Sequence, residues 1–129
     1  MEFTMKKEGG YTTDFSYGRI DISGDGENGF KPVDLFVASI AVCSGGMLRK
    51  IFDKMRIDIT DLHVAAEGER NMEEAGRFEK INIHFRITGK DLNTEKVEKA
   101  MALSRKNCSM TQSIIGNIEV AETYEIISE

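Results

Sequence analysis

Apolar and polar residues alternate most regularly from Phe78 to Thr88: Ile81, Ile83, Phe85 and Ile87 fall on one side, Asn82, His84 and Arg86 on the other. A period of two is that of a strand with one face in a core and one in water. A different period governs the stretch from Pro32 or Val33 to Met55, where Phe36, Ile40, Cys43, Met47 and Ile51 recur every three or four residues. That is the spacing of one helix face, and Pro32 suits the first turn, where a missing N–H costs nothing. Shorter strand-like runs precede it at Glu2–Lys7, Tyr11–Ser16 and Ile20–Ser23. Gly9-Gly10 and Tyr17-Gly18 mark the turns between them, and the polar loop "GDGENG" (24–29) leads into the helix. Downstream, a strand is expected within Ile57–Glu69, followed by a turn at "RNMEEAG". Asn93 or Thr94 caps a second helix running to Asn107. Ser109–Ile115 reads as a short helix ended by Gly116, and Ile118–Ile127 as a closing strand. The order β-β-β-α-β-β-α-β predicts an α+β fold with helices packed on antiparallel sheet.

The first helix is apolar around much of its circumference: Leu35, Phe36, Val37, Ile40, Val42, Met47, Leu48, Ile51 and Phe52. One sheet face cannot cover all of it, so a second helix or a partner subunit must, and a homodimer is the expectation. Gly45 and Gly46 lie inside this helix, each costing about 1 kcal/mol relative to alanine. Close approach of another helix, such as that of a symmetry mate, would offset the cost; the alternative is a bend.

Composition narrows the classes. At 129 residues, the chain has the size of a single domain, 1–129. A net charge of −5 argues against a generic nucleic-acid binder, which needs clustered Lys and Arg. "MEFTMKKEGG" has no apolar leader core, and Arg49, Lys50, Asp53 and Lys54 interrupt the apolar helix, so no membrane span and a cytoplasmic location are expected. In that compartment thiols are reduced by default. Two cysteines and two histidines (His63, His84) without metal-ligand spacing predict no metal, and nothing calls for another cofactor.

The thiols are the candidate chemistry. Cys43 lies on an apolar helix stripe, where a cysteine is either a small buried hydrophobe or a nucleophile. Cys108 follows the stripe Val97, Met101 and Ser104, where the second helix ends. A working thiol needs its thiolate held by a cation, a helix N-terminus or hydrogen-bond donors. Arg19, Arg49 and Arg105 are the candidate cations, and Asp34 is an acid able to hold an arginine in a fork.

Two stretches carry a resemblance. "KPVDLFVASIAVCSGGMLRKI" is similar to the proline, acid, apolar helix and C-[ST]-G pattern of the OsmC/Ohr superfamily, the osmotically inducible and organic hydroperoxide resistance proteins. "RFEKINIHFRITGKDLNTEKVEKAMALSRKNCSMTQSI" resembles its second cysteine frame, in the manner of the YhfA-type OsmC-like branch. Members form intertwined homodimers, with two central helices wrapped by sheets of both subunits. The resemblance implies that Cys43 attacks a hydroperoxide and that Cys108 resolves the sulfenic acid as a disulfide. A dithiol, such as a lipoylated protein, then restores both thiols. Arg19 inherits the role of the assisting N-terminal arginine by position. The Ohr enzymes keep a glutamate directly after the helix-start proline, where this chain has Val33 and moves the acid to Asp34. One helical step is about 100° of rotation, so Asp34 does not simply replace that glutamate.

The expected function is therefore a cytosolic, thiol-dependent peroxidase acting on organic hydroperoxides or hydrogen peroxide. Its rival is a dimer that binds an apolar or thiol-bearing small molecule among Phe36, Ile40, Met47 and Met110. A third reading is a structural dimer with both thiols buried and inert.

Overall fold

The computed structural model describes residues 1–129, which divide into two compact units, 1–36 and 37–129. In the first, β1 (Thr4–Met5), β2 (Tyr11–Asp14) and β3 (Arg19–Ile22) form an antiparallel sheet in sequential order. Gly10 makes the first hairpin possible: its φ is +74°, and a Cβ there would stand 2.5 Å from the Ile22 carbonyl oxygen. Only glycine takes that conformation without strain. Phe30 makes a parallel bridge to Ile22 as the chain approaches α1 (Pro32–Lys54).

The second unit holds most of α1, then β4 (Asp61–Asn71), β5 (Arg77–Gly89), α2 (Thr94–Asn107), α3 (Ser109–Ile114) and β6 (Glu119–Ser128). The alternation along β5 is realised: Ile81, Ile83, Phe85 and Ile87 are all buried. They share the core with Ile40, Leu48 and Phe52 of α1, Val97 and Ala100 of α2 and Val120 of β6. Each Ile, Leu, Val and Phe side chain among them contributes about 1.5–3 kcal/mol by leaving water. Asn93 caps α2, its side chain accepting the Lys96 N–H at 3.0 Å.

One expectation needs correcting. The second sheet has the order β4-β5-β6; β4 and β5 are antiparallel, but β5 and β6 run parallel, so the sheet is mixed. The reason is the connection. A helical crossover, here α2 and α3, returns the chain to start the next strand in the same direction, whereas a tight turn reverses it. A further correction concerns the glycines. Gly45 is buried, and a Cβ on it would sit 3.0 Å from Val64 Cγ2, so its missing side chain makes room for β4 of the same chain. Gly46 faces open space.

By length and composition alone α1 is apolar enough to cross a bilayer, despite the charges that interrupt it. Its apolar residues Ile40, Leu48, Ile51 and Phe52 are buried in the fold, while Arg49, Lys50 and Asp53 are exposed. That is the distribution of a core helix in a globular fold.

Candidate active site

The second half of the site is built at the junction of α2 and α3. Cys108 is extended (φ −76°, ψ 111°), ending α2 and capping α3 in one residue. Its N–H donates back to the Ser104 carbonyl at 2.9 Å, and its own carbonyl accepts from the Gln112 N–H at 2.9 Å. Because the chain turns there, Ser109 and Met110 are the first residues of a new helix. Their N–H groups lack intrahelical acceptors and are free to bind something else.

What they bind is Cys43. Met110 and Ser109 both direct backbone N–H groups to its sulfur, and the Ser109 hydroxyl lies 3.8 Å from Cys43 Sγ. The Cys108 thiol is a further hydrogen-bonding group acting on Cys43. Burial pushes the Cys43 thiol up. The Met110 N–H, the Cys108 thiol and the Ser109 hydroxyl and N–H outweigh it and hold the group below the ordinary cysteine value. Both cysteines are free thiols; Cys43 is half-buried and Cys108 fully buried.

A buried polar network stands behind the sulfurs. The Ser44 hydroxyl donates to Glu122 Oε2 at 2.9 Å, and the Ser104 hydroxyl donates to the Ser44 carbonyl at 3.2 Å. The other carboxylate oxygen of Glu122 faces the Arg105 guanidinium at 3.9 Å, and that carboxylate is only 7% exposed. Arg105 also donates to the Val120 carbonyl at 2.7 Å, while Gln112 donates to the Arg105 carbonyl at 2.9 Å.

The residues singled out in the sequence have varied surroundings. Arg19, on β3, pairs with Asp14 at 3.6 Å and is well exposed. Asp34 is exposed in the first turn of α1, where a carboxylate suits the helix dipole. Arg105 is the arginine tied to the thiol-bearing turn, but its carboxylate is Glu122. Of the four expected pocket residues, Ile40 is fully buried core, and Phe36 and Met47 are half-buried. Met110 contributes its backbone N–H to the thiol. No group of three or more His, Cys, Asp or Glu side chains is arranged to hold a metal ion.

Sequence reasoning missed Ser109, Ser44 and Glu122. The serines were visible only as neighbours of the cysteines. Glu122 had a stronger signal, because a period of two along β6 puts it on the face of Val120, Tyr124 and Ile126. A carboxylate on an inward face needs partners, and it has them.

These features define an α+β protein with a half-buried thiol on α1 whose pKa is lowered by hydrogen-bond donors at the start of α3. The OsmC-like protein family matches residues 24–123, and the chain belongs to that family. It is 32% identical over 108 residues to protein YhfA of Escherichia coli strain K12, covering 81% of each chain. Against the organic hydroperoxide resistance protein OhrB of Bacillus subtilis strain 168 the identity is 27% over 96 residues, covering 74% of this chain and 70% of OhrB. A hypothetical protein from Aquifex aeolicus VF5 shares the fold, with a TM-score of 0.87, 24% identity and coverage of 99% and 95%.

Proposed function

We propose that the chain is a thiol-dependent hydroperoxide reductase in which Cys43 is the nucleophile and Cys108 the resolving thiol. The observation carrying this reading is the convergence of the Ser109 and Met110 donors on a half-buried sulfur, with a second thiol beside it. A core cysteine needs neither. Family membership and the likeness to OhrB supply the substrate class.

In the reaction, the Cys43 thiolate attacks the hydroperoxide and the O–O bond breaks. One oxygen stays on sulfur as the sulfenic acid, and the other leaves as alkoxide, which takes a proton to become the alcohol. The Cys108 sulfur, having lost its proton, then attacks Cys43 Sγ. The S–O bond breaks, water leaves and the disulfide forms. A dithiol, on family grounds a lipoylated protein, returns both thiols and is itself oxidised. The chain uses no metal or organic cofactor in this scheme. Arg19 is assigned the helper role and Asp34 the supporting acid by family position alone. An Arg19→Ala variant that turns over peroxide at the full rate removes that assignment.

The scheme extends to the assembly. Val42, on the turn that carries Cys43, is 70% exposed, and Gly46 one turn on faces open space. In the first unit Phe30 is 62% exposed. A second copy of the chain covering such surfaces makes a homodimer of the family type, acting in the cytoplasm. The family match runs across residues 36 and 37, which supports one domain over 1–129.

Cumene hydroperoxide with a dithiol reductant tests the activity. The protein is expected to consume it, Cys43→Ser to lose this entirely, and Cys108→Ser to stop after one turnover at the sulfenic acid. Full consumption by Cys43→Ser contradicts the reading. A second reading, a dimer that holds an apolar small molecule, is favoured by a cavity of about 520 Å³ lined by Phe3, Tyr11, Ile22 and Pro32, and by none of Phe36, Ile40, Met47 and Met110, where that molecule was expected. Native mass spectrometry showing a co-purified ligand, with no peroxide turnover, selects it.

A further inference from the structure

The Ser44–Glu122–Arg105 network lies outside the chemistry just described, yet it touches both elements that carry the thiols. Ser44 follows Cys43 on α1, and Arg105 precedes Cys108 by three residues at the end of α2. One hydrogen bond joins these places directly, and a second begins a relay through β6. The direct one runs from the Ser104 hydroxyl to the Ser44 carbonyl; the other runs from the Ser44 hydroxyl to Glu122. Glu122 then reaches Arg105 through its second oxygen.

A carboxylate this buried is costly unless both oxygens are engaged, and once engaged it resists rearrangement. It also sits on β6, a third element, so α1 and α2 are each fixed against the sheet as well as against each other. Removing Arg105 leaves the buried Glu122 carboxylate with the Ser44 hydroxyl alone. The network is therefore built to hold a geometry.

We propose that Glu122 is a positioning residue for disulfide formation, holding the Cys43 segment of α1 and the Cys108 turn at the separation the second thiol needs. The proposal rests on the reading of Cys43 and Cys108 as a nucleophile and resolving pair. Attack by Cys43 on a substrate requires one sulfur. Attack by Cys108 on Cys43 requires two, aligned to within bonding reach, and it is the step that feels a loosened clamp. Displacement by about 1 Å in a reacting geometry can cost about a hundredfold in rate.

The two steps separate without any peroxide. The whole reduced protein is mixed with a chromogenic aryl disulfide, dithiobis-nitrobenzoate, at a pH above the Cys43 titration. The Cys43 thiolate attacks it, a mixed disulfide forms and one thionitrobenzoate leaves. The Cys108 sulfur then attacks Cys43 Sγ, the Cys43–Cys108 bond forms and the second thionitrobenzoate leaves, with the Cys108 proton passing to solvent. The rate of the second release divided by that of the first measures the clamp alone. In Glu122→Gln, which keeps size and an acceptor for Ser44 but loses the charge paired with Arg105, the ratio falls at least about tenfold.

Ser44→Ala cuts the other link while leaving the Glu122–Arg105 pair, and it too lowers the ratio, so a Glu122→Gln protein that fails to fold does not end the test. An unchanged ratio overturns the proposal, whether both rates are preserved or both decline together. The outcome is independent of substrate. Wild-type protein that releases both equivalents yet ignores hydroperoxides sinks the peroxidase reading and leaves the clamp standing.

Discussion

At Cys43, burial that would keep a thiol protonated is opposed by donors carried on another element. Met110 and Ser109 give N–H groups, Ser109 adds a hydroxyl at 3.8 Å, and together with the Cys108 thiol they hold the group below the ordinary cysteine value. The sign of the pH dependence follows. A lowered pKa means the reactive thiolate is present at lower pH than in a free cysteine, and it disappears as pH falls through the lowered value. Alkylation of Cys43 by iodoacetamide, followed against pH, is expected to have its midpoint below that of an unstructured cysteine peptide. Ser109→Ala removes one donor and moves the midpoint up. A midpoint unmoved by Ser109→Ala contradicts the role of the hydroxyl. The two cysteines stand out in the sequence because their frames are specific. Ser109 was not, because nothing along the chain says that α3 will turn its first N–H groups back to residue 43.

Among the elements, α1 and the α2–α3 junction carry the clearest stability predictions. Thr111 is fully buried, and its hydroxyl has no partner. Thr111→Val keeps the shape and removes an unsatisfied group whose burial costs about 1–3 kcal/mol, so the melting temperature is expected to hold or rise. A clear fall means that hydroxyl has a partner in solution. Asn93→Ala removes the α2 cap and should cost about 1 kcal/mol by chemical denaturation. The same elements show what pattern could and could not give. Both long helices, the short one after Cys108 and the β5 alternation were readable, because period and caps are local. The parallel pairing of β6 was not, since strand direction depends on where the α2–α3 crossover delivers the chain. Gly45 was read as room for a symmetry mate; the neighbour it admits is Val64 on β4.

For the whole molecule, the two glycines separate folding from assembly. Gly45→Ala brings a methyl to 3.0 Å from Val64 Cγ2 and should lower stability by about 1–3 kcal/mol from overpacking, set against the roughly 1 kcal/mol gained in helix propensity. Gly46→Ala meets nothing in its own chain. Within one protomer it stabilises by about 1 kcal/mol, and in a dimer whose mate helix crosses there it weakens association, which sedimentation velocity reads directly. The account as a whole rests on Cys43 and Cys108 acting as one redox pair, and the most direct measurement is a titration. Reduced protein receives one equivalent of cumene hydroperoxide, and its thiols and peptides are then analysed by mass spectrometry. The account predicts loss of both thiols per peroxide consumed and a Cys43–Cys108 disulfide, with no reaction in Cys43→Ser. Peroxide left intact with both thiols free, or the same consumption in Cys43→Ser, would contradict it.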